Sequence, residues 1–436
     1  MTRLTTKLSP SRGWRRLAAA ASCLLILMVD VFAADWPGWR GPLRDGHVPP
    51  GVAVPETLPR EPRAVWRIKI GDGLASPVVA GEMVFYLDNQ EDKDTLHAVE
   101  RSTGRELWRS PIDDVHKDHQ STPGPRCTPL VDGERIYAQS TKGELRCLAV
   151  ADGKLQWRLN FTQDFGAVFF GERGSAQGAH RHGYTGSPWV DGKRLIVTVG
   201  DTNGAGIVCL DKQTGAVLWK SQNDRAGNAA PITAVIGGVE PKQVVAFTVE
   251  GLIGLNLQNG ELLWRVPLTS TYGRHVTTPV VVGNVVMVGS HQRGMVGVEV
   301  TRESAAAKWN ATIKWDSKEQ TMNFSSPVVV GEYLYGLGPA KNIFCLEAKT
   351  GKAMWSREGY ITNPAEKAHA AFVAMGKNLL LLTDAGELVL FAANPAEFKE
   401  LGRAQVCGAN WCNPAYADGK LFLRDARELI CVELMP

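Results

Sequence analysis

Ser325 to Trp355, SSPVVVGEYLYGLGPAKNIFCLEAKTGKAMW, reads as four short strands with turns between them. An apolar run follows Ser326-Pro327, a tyrosine-rich strand follows Gly331-Glu332, a third run ends in Phe344-Cys345-Leu346, and a fourth carries Trp355. Gly331, the segment 339–342 and Thr350-Gly351 supply the turn chemistry between them. The same pattern recurs along most of the chain, and a repeat of this length made of four strands is one propeller blade.

Outward from this template, repeat one runs from Ser76-Pro77 to Trp108, two from Thr128-Pro129 to Trp157, and three from Ser187-Pro188 to Trp219. Repeat four runs from Ala230-Pro231 to Trp264, and repeat five from Thr278-Pro279 to Trp315, with its Gly turn replaced by 302–310. Repeat seven, from Ala371-Phe372 to about Leu401, lacks both the opening Pro and the closing Trp of the motif. Repeat eight starts at Asn413-Pro414 and ends with the chain after three strands. Arg63 to Ile70, RAVWRIKI, is a strand with no repeat of its own. Pairing it with the last three strands completes the blade and leaves no open central edge. The expectation is an all-β fold: an eight-bladed β-propeller of four-stranded antiparallel blades, closed by its N-terminal strand.

The tryptophans read as structural. In five repeats Trp stands four residues after a turn Gly, as in Gly104/Trp108, Gly153/Trp157, Gly215/Trp219, Gly260/Trp264 and Gly351/Trp355. An indole buries roughly 150–250 Å², and docking Trp66, Trp108, Trp157, Trp219, Trp264, Trp315 and Trp355 between neighbouring blades would fasten the ring. Cys147, Cys209, Cys345 and Cys431 share one repeat position with Ala98, Gly254 and Gly297, which marks a small buried packing site. Cys407 and Cys412 are near enough in sequence to form a disulfide in an oxidising compartment.

The N-terminus follows a different logic. Arg12, Arg15 and Arg16 precede an apolar run from Leu17 to Ala33 that ends in the small-residue spacing Val31-Phe32-Ala33, so residues 1–33 are expected to be a secretory signal peptide cut after Ala33. The Arg pair permits twin-arginine export. Ala20-Ala21-Ser22-Cys23 loosely resembles a lipoprotein box, although most of the apolar run follows Cys23. Five of the 48 basic residues and one of the 45 acidic ones lie in 1–33, leaving 43 against 44. A near-neutral mature chain without a basic run gives no support for nucleic-acid binding, and no later segment is apolar for long enough to span a bilayer. Residues 34–62 lack periodicity and are expected to be an extended lead lying over the surface of the propeller, which occupies 63–436.

The unit SPxxxG…L/CLDxxTGxxxW, cleanest in Val208 to Gly215 with Trp219, resembles the repeat of pyrroloquinoline-quinone (PQQ) enzymes and their non-enzymatic relatives over essentially 63–436. Residues 36–46, WPGWRGPLRDG, with Gly124-Pro125-Arg126 and the segment from Ala415 to Phe422, look like the secreted PQQ-like propellers of planctomycete-type bacteria. The outer-membrane assembly lipoprotein of the BAM complex is similar at greater distance. A PQQ dehydrogenase would imply an adjacent Cys-Cys pair, a Trp under the quinone, Ca²⁺ held by a carboxylate and an Asn, and a catalytic Asp. This chain has no Cys-Cys. Trp411 offers a stacking plane and Asn228 or Asn323 an amide, with no Asp or Glu at matched positions.

Propeller ligands sit where the innermost strands begin. The residues there are Asp72, Arg126, His182 with Tyr184, Asn228, Arg274 with His275, Asn323, His369, and Asn410 with Trp411. Such a ring suits a polar, anionic or carbohydrate-like ligand, with Arg126 and Arg274 giving charge-assisted bonds. Read blandly, the same side chains serve backbone and water in a solvated funnel. Two insertions, from Asp113 to Arg126 and from Thr162 to Gly186, lie over this mouth and carry His116, His119, His180 and His182 without a defining metal spacing. The leading expectation is an exported, monomeric ligand-binding or protein-interaction scaffold of the cell envelope, periplasmic or extracellular, whose partner is an envelope protein or a small polar ligand. The alternatives are an alcohol or sugar dehydrogenase using PQQ with Ca²⁺, and an outer-membrane protein assembly factor.

Overall fold

Alternating apolar runs punctuated by Gly turns leave the chain no choice but short antiparallel strands, and they do not stop forming until the ring is complete. The computed structural model describes residues 35–119, 121–171, 173–200, 204–363 and 368–435; the expected signal peptide lies outside them. The described residues form eight four-stranded antiparallel sheets, spanning 78–114, 130–160, 189–221, 232–267, 280–317, 328–357, 370–405, and 415–433 joined by 64–69. In the last blade Ala64–Lys69 pairs with Glu428–Glu433, so the N-terminal strand closes the ring. Among the described residues, helix is confined to two turns at the second insertion, Phe161–Phe165 and Ala179–His182.

The repeat has one stereochemical centre. In Gly104, Gly153, Gly215, Gly260 and Gly351, φ lies between 69° and 75°, and a Cβ would meet the indole of the preceding blade at 2.6–2.9 Å. Glycine is therefore required twice over, for its backbone and for its missing side chain. The indole of each blade donates to a carbonyl of the next: Trp66 to Arg101, Trp108 to Val150, Trp157 to Lys212, Trp219 to Leu257, Trp315 to Ala348 and Trp355 to Asn394, at 2.8–3.2 Å. Trp264 departs from this, donating to Gln243 of its own blade at 2.6 Å. Its neighbour, blade five, has the longer turn in place of the Gly, held by Arg302 against Ala307 and Trp309.

The small repeat position lies directly opposite this tryptophan across the sheet, pairing Cys147 with Trp157, Cys209 with Trp219, Cys345 with Trp355 and Cys431 with Trp66. At Gly254 and Gly297 a Cβ would lie 2.2 Å from the facing indole, so these blades exclude even alanine. Burial pushes the Cys209, Cys345 and Cys431 thiols up to about 12. Cys407 and Cys412 are also free and buried, not joined. Cys412 Sγ donates to the Leu74 carbonyl at 3.3 Å, a neighbour their sequence spacing does not reveal.

The lead is where the structure corrects the sequence. Residues 36–48 do not lie over the surface; they touch the innermost strand of nearly every blade. Trp36 pairs with Val79 in blade one, and the Pro37 carbonyl accepts from Val131 in blade two. Arg44 donates to Ser187 (2.8 Å) and Pro188 in blade three and to Pro231 (2.9 Å) in blade four. Trp39 donates to Thr278 in blade five, Arg40 to Pro327 in blade six, and Val48 to Ala374 in blade seven. The Tyr416 hydroxyl of blade eight donates to the Ala53 carbonyl at 2.6 Å. Innermost strands converge on the axis, so a segment in contact with all of them fills it. The contacts climb from strand level at Trp36 to the prolines at Trp39 and Arg44 and then descend to Val48. The tip therefore points to the mouth at Leu43, which is 72% exposed. Farther on, Leu58 packs on Gly402, which stands where the other blades carry Trp. The lead thus fills the docking place that repeat seven leaves empty.

Candidate functional site

The mouth residues are brought to one face of the ring by the loops that enter the innermost strands, but they are tied up by those loops in separate groups. Arg126 donates to the His182 carbonyl at 2.7 Å and pairs with Asp118 and Ser121 of its own insertion. Asp118 is fully buried, so the charge expected to meet a ligand is met by the chain. The His182 ring stands 3.9 Å from the same carboxylate. Tyr184 is not at the mouth surface; it is buried edge-on against Phe161, with ring centroids 5.0 Å apart. Asn228 bridges loops, its amide reaching the Gly183 carbonyl and its N–H the His275 carbonyl. Asp72 is exposed.

His275 is fully buried, stacked on Phe247 with centroids 4.0 Å apart, and bonded through Nδ1 to the Thr248 carbonyl at 2.5 Å. Burial drives its pKa down to about 4, so it is a neutral framework group at pH 7. His369 is likewise buried, with its pKa lowered to about 4, and lies nearly parallel to Trp411 at 5.9 Å. Trp411 also meets Phe324 at 5.2 Å, forming a small aromatic cluster across blades six to eight. Asn323 beside it is 7% exposed, and neither atom of its amide has a hydrogen-bond partner. Asn410 closes a local turn, accepting from Cys412 N at 3.0 Å.

PQQ with Ca²⁺ does not fit this set. Asp118 is committed to Arg126 and Ser121, and both oxygens of Asp384 are taken by Thr362 and Asn363. Neither of these carboxylates is therefore available to a cation held by Asn228 or Asn323. Among the described residues, no three His, Cys, Asp or Glu groups are arranged to hold a metal ion. His116 and His180 of the insertions lie edge-on against Phe169 and Phe170.

Three features escaped the sequence reading. Asp94 is fully buried, and burial together with Asp113 raises its pKa to about 7. Arg181, from the second insertion, and Arg274 both stack on Tyr272, at 5.5 and 5.1 Å from the ring centre. Beside them is a cavity of about 570 Å³ lined by Phe170, Arg173, Gln177, His180 and Arg225 among others. Insertion length flagged the region; the pairing of its arginines with a loop about 90 residues away carries no local signal.

The family model of the outer membrane protein assembly factor BamB matches residues 59–176 and 92–357, well over half of the chain. Outer membrane protein assembly factor BamB of Yersinia pestis is 22% identical over 324 residues, covering 68% of this chain and 70% of that protein. That of Moranella endobia is 26% identical over 250 residues, covering 54% and 58%. Among solved structures, BamB from Moraxella catarrhalis superposes with a TM-score of 0.56 at 13% identity, covering 85% of this chain and 97% of that one. A quinohemoprotein alcohol dehydrogenase from Comamonas testosteroni gives 0.63 at 12% identity, covering 92% and 80%. At such identities the structures share the fold alone. With its family match and its closed ring of eight PQQ-like blades, the chain belongs to the family of the outer membrane protein assembly factor BamB.

Proposed function

We propose that this chain is an exported, non-catalytic propeller of the cell envelope that holds a partner protein by its outer rim, in outer-membrane protein assembly. The observation that carries this reading is an apolar belt. Leu107, Leu155, Val217, Leu262 and Ile313 each stand on the outermost strand of blades one to five and are 38–50% exposed. Those strands also present free backbone edges, which a partner strand can extend. Family membership supports the same direction. The filled axis and the self-paired mouth argue against the dehydrogenase alternative.

The test is complementation. A strain lacking this protein is expected to show reduced levels of outer-membrane β-barrel proteins, restored by the wild type and not by a Leu155→Lys/Leu262→Lys variant of unchanged melting temperature. Unaltered barrel levels in the deletion strain would sink the assembly reading, and full rescue by the variant would sink the belt. Calorimetric titration with PQQ and Ca²⁺ addresses the alternative. Saturable heat, lost in Trp411→Ala, would put a quinoprotein in its place.

A further inference from the structure

Guanidinium groups near a protein surface often find carboxylates, and 11 of the 24 described arginines do so here. Arg225 holds Glu250 through Nε at 2.7 Å, Arg265 holds Asp224, and Arg293 holds Asp316. Arg181 and Arg274 are among the arginines that do not, and they lie together. Both are half-buried, both lie over the Tyr272 ring, and among the described residues neither forms an ion pair. Arg181 Nε is buried without a hydrogen-bond partner. A cation over a phenol face gains roughly 0.5–1 kcal/mol, which does not remove the repulsion between two like charges sharing one ring. Consistent with that repulsion, burial first and then the charge of Arg181 hold the Arg274 pKa below its ordinary value.

An open surface groove adjoins the pair. Gly273, between Tyr272 and Arg274, lies against Gln177, which lines the cavity of about 570 Å³. That volume falls within the range of small-ligand sites, about 300–1,000 Å³. Arg173 adds a third guanidinium to its wall, and Phe170, 42% exposed, adds an apolar one. Glu250, the partner of the groove-lining Arg225, is already spent on that guanidinium and its backbone N–H. An oxyanion placed between Arg181 and Arg274 would take fork-shaped N–H donors from both and cancel their repulsion.

We propose that Arg181 and Arg274, both stacked on Tyr272, form an oxyanion site for a small carboxylate or phosphate monoester whose apolar body lies along Phe170. The site is independent of the outer rim, so it stands or falls separately from the assembly reading.

Calorimetric titration of the full mature chain with phenyl phosphate, phenylacetate, inorganic phosphate and phenol tests it. At least one of the two aromatic anions is expected to bind, with phenol silent, and the preferred anion separates a phosphate ester from a carboxylate. Arg181→Gln and Arg274→Gln are each expected to weaken binding by about tenfold or more. Phe170→Ser should weaken the aromatic anion and leave inorganic phosphate as it was. Without ligand, Arg274→Gln should melt at or above the wild-type temperature, because a repulsion has been removed. No anion binding at millimolar concentration, or equal binding by both arginine variants and the wild type, would overturn the site. A lower melting temperature in both variants would do so too, since it would make the arginines supports of the loop.

Discussion

Gly260 and Gly283 separate two reasons for a glycine at residue scale. Both have positive φ, 75° and 57°, but a Cβ at Gly260 would meet the Trp219 ring at 2.6 Å, whereas one at Gly283 meets nothing within 4 Å. Gly260→Ala is expected to cost about 2–4 kcal/mol and Gly283→Ala about 1 kcal/mol. Equal losses in urea denaturation would show that the indole contact adds nothing. Asp94 gives a pH signature. Its pKa is raised to about 7 in the fold, against about 3.9 in an unfolded chain. A raised carboxyl pKa means the stability is complete below about pH 4 and is lost as pH climbs through 7. Asp94→Asn should therefore stabilise the protein at about pH 8, by up to about 4 kcal/mol, and leave it nearly unchanged at about pH 4. A gain of equal size at both pH values would refute the buried charge. The sequence marked Trp and Gly because they recur at fixed spacing. It did not mark Asp94, whose raised pKa comes from burial and from the charge of Asp113 opposite it in the sheet.

Elements bring in the lead and the closing strand. Arg44 is 1% exposed and donates to three carbonyls from two blades while stacking on Trp189. Truncating it to Ala leaves those buried carbonyls without their donor and is expected to cost at least about 3 kcal/mol. A variant that melts like the wild type would show that the axis is hydrated and the plug ornamental. Deleting 63–70 removes the outer strand of blade eight and the Trp66 indole that docks on blade one. The product is expected to be an open, aggregating ring; a soluble monomer of equal stability by light scattering and melting would contradict closure by this strand. The closing strand was legible because the repeat count left one strand over at the front and one missing from the last repeat. The plug was not, since WPGWRGPLRDG has no period and its partners lie up to about 330 residues away.

For the whole molecule, export is the proposal that the expected signal peptide carries. The mature protein should begin at Ala34, next to the Asp35 carboxylate that accepts from Gly81 N. N-terminal sequencing of protein from the envelope fraction checks this, and a chain still carrying 1–33 would replace cleavage with an anchor. By itself the sequence determined the blade, the number of blades, the manner of closure and the family. Those are local patterns repeated in register, and repetition makes each copy evidence for the others. Only the tertiary structure decided that the axis is filled by residues 36–48, that Arg126 is neutralised by Asp118, and that Arg181 meets Arg274 over Tyr272. Each of these depends on which side chain arrives from a distant, non-repeating segment. Such arrivals are set by the packing of the closed ring, not by any spacing along the chain.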